Sequence, residues 1–527
     1  MPVPVLHSPS FADGAARSLR ETASQACGIG NQQTATRWTT KTRTFVLAAT
    51  LLGFVLRLAA AQGDLGLDEI WSLRLVGTIR NLGGILWGLS HDNNHVLNSI
   101  WLFWLGPDRF VWLYRLPAIL LGTLTVPAVA RWLGRECPAA GCFGAVLVAI
   151  SLPFVDFGSE ARGYAGLVLA TVLALDEAGQ AVQAALVRGL RRSAPDQPSA
   201  SATGLWAPAW RLALAVGVGL FFHLAMLNTL AVASAAALFE VAARTRSTSR
   251  TLAVLFRVFL PSLLLAVPAL SVLAAGIVLR GEFKIGDTVP FSWHALVEGL
   301  GGILLLTAGL PDVLPGVAGL LLALVLALGT LRYRLVTRRM ALLMAAALVV
   351  FPSAVALARL PNVGYARYFA VSGVVLLAFA AQILGRLWVK GAQARRQALL
   401  AVLLPVSGAA FLDASAIHDG RGGFGETLQL MRAEGRPAYA TDRPVMTDML
   451  LGDAARRHGE AVPVAIDAQQ LCVASPDWFI AVGVFDPRAD GTPNPEPGSC
   501  SGTYKVRKAF KASPLSGTQW TLYHRAD

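Results

Sequence analysis

Asp68 and Glu69 stand side by side just past the first long apolar stretch, in Gln62-Gly63-Asp64-Leu65-Gly66-Leu67-Asp68-Glu69-Ile70-Trp71. Acids where such a chain leaves a bilayer need water, a partner or chemistry to account for them. A carboxylate there can take a proton from an attacking hydroxyl. Arginines, among them Arg115, Arg162, Arg359 and Arg367, sit at the ends of other apolar runs. Arginine binds phosphate through paired hydrogen bonds and can stabilise a leaving phosphate. A base, a phosphate clamp and a setting in lipid suit glycosyl transfer from a lipid phosphate to a hydroxyl.

The elements that position these groups are membrane helices. The chain has 527 residues, of which 54% are hydrophobic and only 15% charged. A soluble protein of this length needs far more charge to cover its surface. The formal net charge of +13 falls in short clusters between apolar spans. That is the positive-inside pattern, and no basic stripe with interleaved aromatics points to nucleic acid.

Spans of about 20 apolar residues are predicted at 45–61, 115–131, 139–155, 162–187, two within 212–243 with a tight turn near His223, then 255–279, 314–331, 340–358, 369–388 and 398–412. Eleven spans place every basic cluster on one side. The expected fold class is therefore a polytopic α-helical membrane protein with about 11 transmembrane helices and interfacial helices. Residues 1–43 read as a disordered cytoplasmic leader and 44–412 as the membrane domain. Its first loop, 62–108, carries an interfacial helix at Val96–Leu105 with Trp87, Trp101 and Trp104 at headgroup level. Residues 294–310, apolar with Glu298, read as a further surface helix. Residues 413–527 read as a small C-terminal α/β domain on the outer side, with strand-like Val462–Ile466 and Trp478–Val484 and helix-like Glu426–Glu434. Outside the cytoplasm, Cys472 and Cys500 have the setting for a disulfide.

This topology gathers the polar residues at one interface: Asp64, Asp68, Glu69 and Arg74; His91 to His95; Arg115; Asp156, Glu160, Arg162 and Tyr164; His223; Arg359, Arg367 and Tyr368. Charge near lipid is costly without partners, so the clustering marks a candidate site.

Here the chain resembles the GT-C glycosyltransferases, in particular the superfamily of protein O-mannosyltransferases and lipid A aminoarabinose transferases. The resemblance rests on Leu67-Asp68-Glu69, Asn94-His95, Tyr114-Arg115-Leu116-Pro117-Ala118-Ile119-Leu120-Leu121-Gly122, Gly134-Arg135, Ser159-Glu160-Ala161-Arg162-Gly163-Tyr164 and Ala366-Arg367-Tyr368-Phe369, in order over about 45–390. Where the family often has His-Pro-Pro, this chain has His95-Val96-Leu97. The resemblance implies a GT-C-type bundle and an inverting hexosyl or pentosyl transfer. The donor is a dolichyl- or polyprenyl-phosphate sugar. The acceptor is a hydroxyl on lipid, glycan or protein. It implies Asp68 as base, with Glu69 positioning the acceptor or supporting Asp68. Arg115, Arg162 and Arg367 are implied as donor-phosphate ligands, with His95, Asn94, Glu160, Tyr164 and Tyr368 in support. The setting it implies is a bacterial inner membrane, with the N-terminus cytoplasmic and the C-terminal domain periplasmic.

Plainer readings stand beside these. Asp68 and Glu69 can be solvated loop acids, and Asp64 competes for the base role. Arg115 and Arg162 can anchor helix ends by snorkelling, with Arg359 an alternative to Arg367. Glu160 suits a salt bridge to Arg162 or a neighbouring arginine. His91 and His95 lie four apart beside Asp92, but that spacing is common and no metal ligand set is assigned. No cofactor is assigned, and a divalent cation is left open. Two other function classes are a lipid-linked saccharide transporter or flippase without catalysis, and a non-catalytic membrane scaffold. A transporter should show repeat halves and charges near the midplane, neither of which the sequence displays.

Overall fold

The computed structural model describes residues 38–89, 91, 94–191, 203–281, 288–311, 313–434, 438–466, 476–483, 503–515 and 519–526. The leader up to residue 37, Asp92, Cys472 and Cys500 lie outside the described residues, and with them the expected leader structure and disulfide.

Helices form where the apolar runs are long. Among the described residues, eight are long and apolar enough to cross a membrane: α1 (Thr40–Ala60), α5 (Val111–Gly134), α8 (Tyr164–Arg191), α10 (Met226–Thr245), α11 (Thr248–Arg280), the stretch Arg338–Leu357, α16 (Ala370–Val389, joined to a 3-10 turn at Ala366–Phe369) and α17 (Ala392–Asp419). Three shorter apolar helices fill the other expected positions, namely α6 (Pro138–Ile150), α9 (Thr203–Phe222) and α13 (Gly316–Tyr333). The molecule is a polytopic helical membrane protein with a small C-terminal α/β unit. Helix α6 ends at Ser151, and Pro153 lies in the first turn of the short α7 (Leu152–Phe157). Proline suits that first turn because its missing N–H has no helical partner there.

Between α1 and α5 the chain forms α2 (Leu67–Gly77), α3 (Gly83–Trp87) and α4 (Val96–Leu105), the last with the bounds expected of the interfacial helix. His95 is the residue before its first turn, so the helix starts there without the family's prolines.

Residues 294–310 need a correction. Helix α12 (Trp293–Thr307) is no surface helix, since Leu300, Ile303, Leu304, Leu305 and Leu306 are all buried. It runs along one end of the bundle. Its neighbours there are Val363, Gly373 and Ser151, all at the same ends of their elements. Gly301, Gly316 and Gly319 let α12 and α13 cross with backbone on backbone.

The basic clusters collect at the opposite end and are neutralised by buried acids. Arg131 and Arg135 meet Asp176, Arg211 meets Glu177 and Arg244 meets Glu240. The expectation of one basic side is thus a geometric fact of the bundle.

The C-terminal unit begins later than the expected residue 413, because α17 continues to Asp419 before the chain turns. After α18 (Phe424–Ala433) it forms β1 (Ala438–Thr441), α19 (Pro444–Arg457), β2 (Val464–Ile466), β3 (Trp478–Val482), β4 (Thr503–Phe510) and β5 (Trp520–Ala526). The sheet order is β2-β1-β3-β5-β4, with β1 parallel to β2 and β3 and the last two pairings antiparallel. One continuous apolar cluster runs from the first loop (Leu65, Ile70, Leu102) into this unit (Leu428, Met449, Trp520). The sheet unit therefore sits on the end of the bundle from which Asp68 projects, and burial of shared apolar surface holds it there.

Candidate active site

The site is built where α2 starts. Asp68 and Glu69 occupy its first turn, where carboxylates complement the helix dipole. Glu69 turns inward. Its Oε1 accepts from Arg115 Nε at 2.9 Å and from the Ala161 amide at 2.6 Å. Its Oε2 accepts from Arg115 Nη2 and from the Gly66 amide, both at 2.7 Å. Burial favours the neutral acid, but the charge and hydrogen bonds of Arg115 outweigh it and hold the carboxyl at about 2. Glu69 is thus a permanent anion that joins the first loop to the Ser159–Tyr164 segment.

Arg115 is fully buried and committed. Besides Glu69, it donates to the carbonyls of Ala61 and Asp64 at 2.8 and 2.7 Å, and more distantly to those of Gln62 and Gly63. All three of its nitrogens are engaged within the fold. The expected phosphate ligand is placed here as the clamp that shapes the loop carrying Asp68.

Asp68 turns outward, with its side chain about one-third exposed, and its Oδ2 meets two guanidinium groups. Arg162 Nη1 lies at 2.8 Å and Arg367 Nη1 at 3.2 Å. The structure therefore brings together three residues that the sequence places 94 positions apart (68 to 162) and 205 apart (162 to 367). Arg162 lies over the Tyr164 ring, 4.9 Å from its centroid, and Arg367 lies over Tyr365 and Tyr368 at 5.0 and 5.7 Å. These aromatic faces hold the cations in place without consuming their hydrogen-bond donors.

His95 closes this side. It stacks on His223 with centroids 4.7 Å apart, and His223 contacts Tyr164 at 4.5 Å. Burial, with His223 and the two arginines nearby, pushes the His95 imidazole well below its usual value. It therefore stays neutral, 3.5 Å from Arg162 Nη2. Asn94 plays a local part. Its amide donates to the Ile85 and Leu89 carbonyls and its carbonyl accepts from Ser99. His91 accepts from the Trp71 indole at 3.0 Å. Among the described residues no three His, Cys, Asp or Glu side chains are grouped to hold a metal ion.

A second cation centre escaped the sequence reading. Arg421, in the turn after α17, binds Asp156, Glu160 at 2.8 Å, the Ser159 hydroxyl at 2.7 Å and the Ala60 carbonyl at 3.1 Å. Glu160 thus pairs with an arginine as expected, though one from beyond the last span. Burial, then the Asp156 charge, push the Glu160 carboxyl up to about 7. Gly422, at φ 82°, packs so tightly on Asp64 that an added Cβ would lie 2.7 Å from that side chain. Asp64 itself accepts from the Gly425 amide at 2.9 Å and lies 3.8 Å from His458. The competing candidate base is thus occupied in seating the C-terminal unit. Arg359 is exposed and lies away from these contacts.

Asp68, Arg162, Asp156 and Glu160 line a cavity of about 110 Å³. Further wall comes from the starts of α2 and α7, the end of α17, the Gly420–Phe424 turn and the Lys511–Pro514 segment of the C-terminal unit. Asp68 therefore stands between two surroundings, an arginine and aromatic wall on one side and a partly open cavity on the other.

No protein-family model matches this chain, and no curated protein does. Among solved structures it is similar to ArnT from Cupriavidus metallidurans bound to undecaprenyl phosphate, with 14% identity over 91% of this chain and 97% of that one and a TM-score of 0.47. It is also similar to the Archaeoglobus fulgidus oligosaccharyltransferase in complex with zinc and sulfate, with 15% identity over 83% and 67% of the two chains and a TM-score of 0.48. The archaeal oligosaccharyltransferase AglB from Archaeoglobus fulgidus, in complex with an inhibitory peptide and a dolichol-phosphate, gives 15% identity, 84% and 69% coverage and a TM-score of 0.46.

Proposed function

We propose that this chain is an inverting membrane glycosyltransferase that moves a sugar from a polyprenyl-phosphate donor to an acceptor hydroxyl. One observation carries the reading: Asp68 presents a single carboxylate oxygen to Arg162 and Arg367 at the wall of a cavity. In the resting protein the two guanidiniums hold the carboxylate. A lipid phosphate entering along the aromatic wall competes for the same donors, and Arg162 and Arg367 turn toward it. Asp68 is then released to accept a proton. The acceptor oxygen attacks the anomeric carbon of the donor sugar from the cavity side. The carbon–oxygen bond to phosphate breaks, its electron pair leaves with the polyprenyl phosphate, and the acceptor proton passes to Asp68. The two arginines stabilise the charge that develops on the leaving group.

In this scheme Glu69 supports Asp68 by fixing the start of α2, and Arg115 holds Glu69 in place of a phosphate. Tyr164 and Tyr368 orient the arginines, neutral His95 backs Arg162, and Glu160 anchors Arg421. The domain boundaries follow the helices: a membrane domain through Asp419 and a C-terminal unit after it. The basic end faces the cytoplasm by the positive-inside rule, which puts the site and the C-terminal unit on the periplasmic side of a bacterial inner membrane.

The test is donor turnover by the purified full-length protein in nanodiscs, with synthetic polyprenyl-phosphate hexoses and pentoses and membrane extract as acceptor source. Asp68→Asn should lower release of polyprenyl phosphate by about 10²- to 10⁴-fold while the protein stays folded. Near-wild-type release by this variant removes the base assignment. Lipid and glycan profiling of a deletion strain then identifies the missing product.

A further inference from the structure

At the basic end of the bundle, three arginines stand in a row across two buried acids. Asp176 and Glu177 are neighbours on α8, and both are buried. Arg135, just past α5, reaches Asp176 through Nε at 3.2 Å. Arg131 of α5 reaches Asp176 at 3.2 Å and Glu177 at 3.6 Å, both through Nη2. Arg211 of α9 reaches Glu177 through Nε at 2.9 Å. Three cations therefore share two carboxylates, and one positive charge is left over. The side chains of Arg131, Arg135 and Arg211 are 48%, 41% and 51% exposed.

Arg135 and Arg211 spend only Nε on the acids. Among the described residues, the Nη groups of both have no acceptor. Other arginines at this end are used differently. Arg244 spends both Nη groups, on Glu240 and Gln183, and Arg339 donates to the Leu175 carbonyl. A guanidinium held by Nε and open at its Nη fork is aimed in advance at an anion with several acceptor oxygens. Such preorganisation lowers the ordering cost of binding. The flanking surface is apolar. Leu120 and Leu124 are exposed on the face of α5 that ends at Arg131, four and seven residues apart in turn. Trp206, Trp210, Leu214 and Val218 are exposed on α9 around Arg211. Tryptophan beside arginine is the composition of a headgroup boundary. A free phosphate ion accounts for the forks but not for the exposed Trp and Leu side chains, whereas a phospholipid accounts for both.

We propose that the row Arg135, Arg131 and Arg211 is a binding site for an anionic phospholipid in the leaflet at the basic end. The phosphate oxygens accept from the open Nη forks, and the net negative headgroup takes up the spare charge. The acyl chains lie along the exposed apolar faces of α5 and α9. A zwitterionic lipid is the poorer match, because its own cation competes for the phosphate. The bound lipid ties α5 and α9 across the acids of α8. It lies at the opposite end of the bundle from Asp68, so the inference stands apart from the glycosyl-transfer reading.

The test follows the thermal midpoint of the full-length protein in detergent as dioleoyl-phosphatidylglycerol or dioleoyl-phosphatidylcholine is titrated in. The wild-type midpoint should rise with phosphatidylglycerol and stay level with phosphatidylcholine; an equal rise with both overturns the proposal. Arg135→Lys combined with Arg211→Lys keeps a cation on each acid and removes the forks. That variant should need about tenfold more phosphatidylglycerol for half the shift. Arg338→Lys combined with Arg396→Lys alters two exposed arginines at the same end and should stay within about twofold of the wild type. Equal loss in the two pairs reduces the effect to diffuse surface charge and overturns the proposal. An equal rise with inorganic phosphate at the same concentration makes the ligand a free ion and also overturns it. A variant midpoint that falls before lipid is added, with half-saturation unchanged, leaves the arginines as counter-ions of Asp176 and Glu177 alone, which overturns it too. No donor is used, so failure of the transferase reading leaves this result intact.

Discussion

Two adjacent acids divide their work by the direction each faces. Asp68 meets guanidinium groups that a phosphate can draw away, whereas Glu69 meets one that is locked among carbonyls. Arg162→Ala should therefore raise the donor KM at least tenfold and leave the thermal midpoint nearly unchanged. Arg115→Met should do the opposite. Removing one partner of a buried pair costs roughly 3–5 kcal/mol, so detergent-solubilised protein should lose folded yield before its donor KM can be compared. The residue types were legible in the sequence because acids and arginines beside apolar runs need a reason to be there. Their pairing was not. Spacing along the chain does not reveal which carboxylate a guanidinium reaches, and so Arg115 looked equivalent to Arg162 and Arg367. Glu160 offers a pH test. Its folded value of about 7 lies above the ordinary 4.5, so between these values the folded protein holds more protons than the unfolded chain. Its contribution to stability is full below about 4.5 and is lost as pH rises through 7. The midpoint of the wild type should gain more on going from pH 8 to pH 5.5 than that of Glu160→Gln; parallel profiles remove Glu160 as the titrating group.

At the scale of elements, the site depends on turns that glycine makes possible. Gly420, Gly422 and Gly423 all have positive φ, and between them Arg421 is aimed back at Asp156 and Glu160. Read locally, Gly-Arg-Gly-Gly after a span is an ordinary linker, which is why the sequence concealed this centre. Helix α4, by contrast, was legible to the residue, since its Trp and Leu pattern is bounded by His95 and Gly106. Arg421→Ala should leave Asp156 and Glu160 without their cation, lower the thermal midpoint and reduce transfer. Arg421→Lys should not restore either, because an ammonium cannot reproduce the planar fork that reaches two carboxylates, a hydroxyl and a carbonyl. Full rescue by lysine would show that charge alone suffices.

For the whole molecule, the basic clusters and the candidate site occupy opposite ends of one bundle. A phosphatase reporter fused after Asp527 should be active and a cytoplasmic reporter there silent; the opposite readout reverses the orientation proposed for the site. The helical membrane architecture was legible because lipid allows few alternatives, whereas the count was not: eleven spans were expected, and among the described residues eight helices are long and apolar enough to cross. The seating of the C-terminal unit was not legible either, because it depends on a shared apolar cluster between segments far apart in sequence. That seating also sets a schedule for biosynthesis. Asp156 must wait for Arg421, 265 residues later in the chain. At about 5–20 residues per second, the ribosome needs on the order of 10 to 50 seconds to supply it. During that interval the early helices are already in the membrane with an acidic cluster unpaired and the cavity roofless. The pairing that seats the turn after α17 on the first half of the bundle is therefore completed only after the helices through Asp419 have been made.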